Sequence, residues 1–162
     1  MKKKIIVISM LVFSLLLTTG AALASAPKTY VEGTECNSVY IAPGEARLLG
    51  NGKLRMTGLG INAVHSWNDP RLNGISTVDI NFIVDPVSFT GPAWGYARID
   101  NANGSWSGQW VGKFVNDSLT IQATYTGSGD YAGLVAKLYG TEEPDDVCVY
   151  VSGYILETGA NK

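Results

Sequence analysis

Hydrophobic and polar residues alternate with a period of two along most of the chain beyond its N-terminal segment. The clearest stretch is 77–84, and the stretches 105–114, 119–125 and 147–155 repeat the pattern. In the first stretch the alternating apolar positions are Val78, Ile80, Phe82 and Val84. This period places successive side chains on opposite faces of a β-strand that buries one face. Because no stretch of the domain shows the sustained period of an amphipathic helix, the pattern predicts an all-β protein.

Turn-forming dipeptides separate the alternating stretches. They are Asn51-Gly52, Asp69-Pro70, Asn73-Gly74, Asp85-Pro86, Asn103-Gly104 and Asn116-Asp117. Such pairs suit tight turns, so we expect consecutive strands to be neighbours in the sheet. The predicted strands lie near 37–42, 45–50, 53–58, 60–67, 75–84, 92–100, 104–115, 118–126, 131–139 and 147–157. We expect some of these to merge or fail.

The N-terminal segment has the organisation of a secretory signal peptide. Its basic residues are Lys2, Lys3 and Lys4, an apolar run covers 5–17, and the small residues that follow are Ala22, Ala24 and Ala26. We predict cleavage after Ala24, which gives a signal peptide at 1–24 and a single domain at 25–162. A retained membrane anchor is the alternative, but the apolar run is shorter than the ~20 residues that a membrane helix needs. The sequence therefore predicts a secreted or periplasmic protein without a membrane span.

The two cysteines, Cys36 and Cys148, stand at the beginning and end of the domain. In an oxidising compartment an isolated pair is more often a disulfide than a metal or redox site. Such a bond makes the first and last strands neighbours, which a closed barrel or a sandwich with adjacent termini would satisfy. An antiparallel meander of about eight strands with joined ends is most simply an up-and-down barrel, because closure leaves no exposed edge.

A glycine-rich segment resembles a known family. The residues Gly127-Ser128-Gly129-Asp130-Tyr131-Ala132-Gly133-Leu134 resemble the start of a late strand in the allene oxide cyclase and dirigent barrels, and 104–110 is similar to a strand of small bacterial secreted proteins of this barrel type. The resemblance implies a calycin-like barrel of eight strands. In the plant families its central cavity holds a hydrophobic or phenolic substrate. No position outside the glycine region matches a family motif, so the resemblance assigns no catalytic residue.

Charge and composition exclude several classes of protein. The chain has 12 basic and 14 acidic residues and a formal charge of -2. This argues against a dedicated nucleic-acid binder, because acidic surfaces repel phosphate backbones. A charged fraction of 16% and 19 glycines indicate a turn-rich domain rather than a coiled coil, a helical bundle or a disordered chain.

Few residues point to catalysis or metal binding. The single histidine, His65, excludes a multi-histidine metal site within one chain and is the one candidate base for a Ser-His-Asp triad. We expect an ordinary strand residue there, with a catalytic base or ligand contact as the alternative. The acidic segment 142–146 lacks the spacing of an EF-hand, so we expect a solvated loop rather than a calcium site. The sequence thus predicts no catalytic residue, metal or cofactor.

Aromatic residues are the remaining signal. Trp106 and Trp110 share a strand face, and such residues either line an apolar cavity or fill a narrow barrel, which we favour for these two. If Arg98 points inward, it needs a carboxylate or an anionic ligand, because a buried unpaired charge is costly. The candidate ligand contacts are Arg98, Trp106, Trp110, Tyr125 and His65.

Together these observations favour a secreted, non-catalytic barrel that binds a small apolar or aromatic molecule. This hypothesis requires an internal cavity of roughly 300 Å³. The alternatives are a cavity isomerase, cyclase or dirigent-like enzyme, and an extracellular scaffold that binds glycan or protein through its outer surface. The sequence assigns no oligomeric state.

Overall fold

The computed structural model describes residues 26–142 and 147–158. The predicted signal peptide lies outside the described residues, as does most of the acidic segment, at 143–146. Within the described ranges, no helix combines the length and hydrophobicity needed to cross a membrane.

Eight antiparallel strands form one sheet that closes on itself as a barrel. They are β1 (Lys28–Leu48), β2 (Leu54–Trp67), β3 (Gly74–Val84), β4 (Gly91–Asn101), β5 (Gly104–Val115), β6 (Ser118–Gly129), β7 (Leu134–Glu142) and β8 (Cys148–Glu157). Each strand pairs with the next in the chain, and β1 pairs with β8. The prediction of an all-β fold with about eight antiparallel strands is confirmed. One turn of 3-10 helix, Pro70–Leu72, lies between β2 and β3.

Several predicted strands merge into longer strands that contain bulges. The predicted strands 37–42 and 45–50 are one strand, β1, which also begins earlier than predicted, at Lys28. Its register against β2 shifts between Asn37 and Val39 and again between Tyr40 and Ala42. In β2, Gly58 has a φ of 69° and lies at a further register shift against β3. A bulge bends a strand without ending it, so these residues mark bends rather than turns.

A disulfide joins the two strands that close the ring. Cys36 and Cys148 are bonded and are directly opposite one another at the last paired position of β1 and β8. This confirms the predicted pairing and fits an extracytoplasmic location. Beyond Cys36, β1 continues to Leu48 as the partner of β2, so the β1–β2 hairpin extends past the β1–β8 pairing.

The barrel interior is lined by alternate residues of each strand. As predicted, β3 buries its apolar face, and β6 buries Leu119, Ala123 and Tyr125. On β4 the inward positions are the small or branched residues Ala93, Gly95, Ala97 and Ile99. A side chain at position 95 would place its Cβ against the carbonyl oxygen of Asp79 and 2.7 Å from Nε1 of Trp110, so glycine there makes room for both.

One end of the barrel is plugged. The 3-10 turn carries Leu72, which is fully buried in the same core cluster as Trp106 and Tyr131. The rings of Trp106 and Tyr131 are stacked, with centroids 5.3 Å apart. The Trp106 indole donates a hydrogen bond to the carbonyl of Arg71 at 2.8 Å. Asn101 donates to the same carbonyl and accepts from the Tyr131 hydroxyl. We call this the closed end.

Candidate functional site: a cavity at the open end of the barrel

The opposite end of the barrel contains a cavity of about 280 Å³. Residues from seven strands and from the β3–β4 loop line it, and most of them are apolar. They are Glu35, Asn37, Tyr40, Leu59, Ile61, Val78, Ile80, Phe82, Phe89, Trp110, Phe114, Leu119, Ile121, Tyr125, Glu142 and Val149. We call this end of the barrel the open end. The volume is close to the value that the binding hypothesis requires.

Three phenylalanines form the mouth of the cavity. Phe82, Phe89 and Phe114 meet edge to face, with ring centroids 5.0 to 5.7 Å apart. Phe89 belongs to the β3–β4 loop and has a φ of 44°, which is strained for a bulky side chain. The loop is held by Asp85, whose carboxylate accepts hydrogen bonds from the backbone N–H groups of Val87 and Ser88. These bonds hold the pKa of Asp85 below its usual value.

The Glu35 carboxyl group lies deep in the cavity. Glu35 lies opposite His65 on β2 and Val149 on β8, and its side chain is 13% exposed. Its carboxyl group makes no hydrogen bond within the described part of the chain, and its Oε2 lies 3.8 Å from Nε2 of His65. Burial, with a smaller contribution from the nearby Glu142, raises the pKa of Glu35 to about 7.

His65 is fixed in its neutral form beside Glu35. The Trp67 indole, which can only donate, gives a hydrogen bond to Nδ1 of His65 at 3.2 Å. The ring proton therefore lies on Nε2, which donates to the hydroxyl of Ser76 at 2.9 Å. Burial lowers the pKa of His65 to about 4. Because both nitrogens are engaged and the ring resists protonation, His65 is unsuited to act as a general base at neutral pH.

Tyr125 and Trp110 supply the remaining deep polar groups. Burial and, to a lesser degree, Glu35 raise the pKa of Tyr125 further above its usual value, so its hydroxyl keeps its proton. Nε1 of Trp110 is buried and has no hydrogen-bond partner in the ranges that the structure describes. The deep part of the cavity thus combines one ionisable carboxyl group with neutral groups.

The structure does not bring all of the sequence-predicted site residues together. Trp110 and Tyr125 line the cavity, and His65 lies behind Glu35 without lining it. Arg98 is on the outside: its guanidinium pairs with Asp100 at 2.8 Å, and its side chain is 50% exposed. Its candidacy as a contact inside the barrel is therefore corrected, because β4 turns its small residues inward.

Trp106 is fully buried at the closed end and does not line the cavity. This agrees with the favoured prediction that Trp106 fills the barrel, and its alternative role as a ligand contact is corrected. Trp110, for which the same prediction was made, lines the cavity instead. Sequence reasoning also missed Glu35 and Phe89. Glu35 continues the inward alternation of Val31 and Gly33, a signal that becomes visible only when a strand is assigned to 28–36.

Chemically, the site offers an apolar pocket, a carboxyl group that titrates near neutral pH, and a phenol that donates. Across the described ranges, no group of three or more His, Cys, Asp and Glu side chains is placed to hold a metal ion. No protein-family model matches the chain, and no curated protein matches it in sequence.

Proposed function

We propose that this protein is an exported barrel that binds a small apolar or aromatic molecule in its cavity. The observation that carries the proposal is the apolar cavity of about 280 Å³ at the open end. An apolar protein cavity of ~150 Å³ accommodates benzene, so the volume here suits a molecule of one or two rings. The apolar lining and the few polar groups at its base are typical of small-molecule sites.

We also propose that the barrel is of the calycin-like, allene oxide cyclase and dirigent type, and that residues 1–24 are a cleaved signal peptide. The ring of eight consecutive antiparallel strands supports the first point. So does the glycine-rich turn between β6 and β7, where Gly129 has a φ of 66° and a Cβ at Gly127 would collide with the backbone of Tyr131. The disulfide supports export.

Mass spectrometry tests the binding proposal without knowledge of the ligand. The exported protein is purified and its native and denatured masses are compared. We expect the native mass alone to include a small passenger molecule. The denatured mass reports whether cleavage follows Ala24. Isothermal titration with 2-phenylethanol, a neutral one-ring probe, then measures the cavity directly.

A pair of variants on β6 shows where the probe binds. Ile121 lines the cavity, whereas its neighbour Gln122 is exposed on the outer face. We expect Ile121→Trp to fill the cavity and weaken binding of 2-phenylethanol at least tenfold, and Gln122→Trp to leave it unchanged. Equal affinities in the two variants, with unfolding curves showing both folded, would place the probe elsewhere and contradict the proposal.

A cavity enzyme is the second candidate, and Glu35 is the observation that favours it. A buried carboxyl group with a pKa of about 7 suits general acid–base catalysis at neutral pH. The Tyr125 hydroxyl lines the same cavity and could donate a hydrogen bond to a substrate oxygen. A turnover found by substrate screening and abolished by Glu35→Gln would favour the enzyme over the carrier.

A further inference from the structure

The cavity has an uneven distribution of charge. Two carboxyl groups, those of Glu35 and Glu142, line it, and the lining includes no Lys, Arg or His. Residues 143–146, which adjoin Glu142 in the chain, contain no basic residue either. The basic side chain of β4, Arg98, is on the outer surface. Among the described residues that line this pocket, an anionic ligand would therefore meet no cationic side chain.

Within residues 26–142 and 147–158, no element packed around Glu35 supplies it with a cationic partner. The titratable groups that face it are His65 on β2, Tyr125 on β6 and Glu142 on β7, with Tyr40 further along β1. On β8 the residue opposite Glu35 is Val149. None of these groups is a cation at neutral pH, since His65 is neutral and commits Nε2 to Ser76.

An isolated carboxylate in an apolar cavity is unfavourable unless a proton or a cation neutralises it. In the empty cavity the proton fills that role, which agrees with the raised pKa of Glu35. A protonated amine would fill it better, because it supplies both a positive charge and three N–H donors to a carboxylate that lacks hydrogen bonds.

We propose that the ligand is a small aromatic or apolar amine whose ammonium group pairs with Glu35 while its apolar part lies among Phe82, Phe89 and Phe114. This proposal rests on the proposed binding function and specifies the class of ligand. The ammonium group lies deep, next to Glu35, and the ring occupies the apolar volume between Glu35 and the mouth.

Amine binding in this arrangement is linked to protonation. The ammonium group pairs with ionised Glu35, so below pH 7 binding must first displace the proton from this carboxyl group. The affinity for an amine therefore falls as the pH decreases. A neutral molecule of the same shape lacks this dependence.

Three nearly isosteric probes test the proposal: 2-phenylethylamine, 2-phenylethanol and phenylacetate. Their affinities are measured by isothermal titration at pH 8 and at pH 5.5. The amine is protonated at both pH values, so a change in its affinity reports on the protein. At pH 8 we expect the amine to bind at least tenfold more tightly than the alcohol, and phenylacetate to bind most weakly. At pH 5.5 the preference for the amine over the alcohol should shrink at least tenfold.

Two variants on β1 assign the preference to one side chain. Glu35→Gln keeps the shape and removes the charge, and should bring the affinities for amine and alcohol within a factor of two or three. Glu32→Gln, an exposed neighbour on the outer face, should keep the full preference. If Glu35→Gln does not fold, the pH dependence of the amine preference in the unmodified protein still tests the proposal.

The outcomes separate this inference from the proposed function. Binding of the alcohol without a preference for the amine, or a preference that survives Glu35→Gln or pH 5.5, would overturn the inference and leave the binding cavity standing. Absence of binding by all three probes would overturn the cavity proposal and this inference with it.

Discussion

The two ends of the barrel contain aromatic side chains held in different ways. At the closed end, Trp106 stacks on Tyr131 and donates a hydrogen bond to the Arg71 carbonyl, which Asn101 also contacts. At the open end, the three phenylalanines of the mouth contact one another edge to face and have no polar group to anchor them. The same strand, β5, supplies Trp106 to one end and Phe114 to the other.

The difference lies in what displacing an aromatic side chain would cost. Displacing Trp106 would leave a buried carbonyl with one hydrogen bond fewer, which costs free energy. Displacing a phenylalanine of the mouth would leave no side-chain polar group unsatisfied. If a ligand binds in the cavity as we propose, we therefore expect the side chains that yield to it to be those of the open end.

Removing the plug should have the largest effect. We expect Trp106→Ala to lower the free energy of unfolding by about 3 to 5 kcal/mol, because it creates a large cavity and breaks the bond to Arg71. Urea denaturation measures the change. Trp94→Ala, on the half-buried outer face of β4, is the matched control and should cost much less. Equal losses would show that the closed end is not the main source of stability.

Substitution of Glu35 should have the next largest effect, which is a change in how the free energy of unfolding depends on pH. Its pKa is raised from 4.5 to about 7 on folding, so the folded protein holds this proton more tightly. The contribution of Glu35 to the free energy of unfolding therefore decreases as the pH rises from about 4.5 through 7.

His65 acts in the opposite direction, because its pKa falls from 6.5 to about 4 on folding. Its contribution to the free energy of unfolding therefore increases as the pH rises from about 4 to 6.5. We therefore compare Glu35→Gln with the unmodified protein, both of which retain His65. Between pH 4 and pH 8 the variant should gain on the order of 2 to 3 kcal/mol relative to the unmodified protein. The measurement at pH 4, where Glu35 is mostly protonated in both the folded and the unfolded state, is the internal reference. A difference that stays constant with pH would contradict the assigned burial of Glu35.

Trimming the mouth should have the smallest effect on stability and a visible effect on binding. Phe114 is half-buried, so Phe114→Ala should cost about 1 to 2 kcal/mol, less than Trp106→Ala. The enlarged cavity should admit a two-ring probe, 1-naphthaleneethanol, more tightly than the unmodified protein does. Lys113→Ala, exposed on the same strand, should change neither property. A loss as large as that of Trp106→Ala would remove the distinction between the two ends.

The strands that form simple hairpins were predictable from the sequence. β5 and β6 begin at the predicted residues. The turn before β6 is Asn116-Asp117, as predicted, whereas the turn before β5 is Ala102-Asn103, because Gly104 already pairs with Asn101. Asn116 and Asp117 both have positive φ values, as a tight hairpin turn requires. Local turn chemistry was sufficient there.

The bulged strands and the position of the Glu35 carboxyl group were harder to predict from the sequence. Pro43-Gly44 and Gly58 have the composition of a turn, and only the partner strand shows that pairing continues through them. The glycine at position 95 of β4 faces residues of two neighbouring strands, since a Cβ there would meet the Asp79 carbonyl of β3 and the Trp110 indole of β5. The sequence of β4 alone does not show these contacts. Glu35 was missed because its strand was predicted to begin at residue 37, two residues after it.

The order of the strands also bears on how the chain folds. Every pairing except that of β1 with β8 joins consecutive strands, so hairpins can form locally. The β1–β8 pairing, which we call the seam, instead joins cysteines 112 residues apart. Contacts this distant in sequence carry the largest loop-closure entropy and are expected to form late. Once the disulfide has formed, it keeps β1 and β8 close together even in the denatured state. Later refolding then begins with the slowest contact already made.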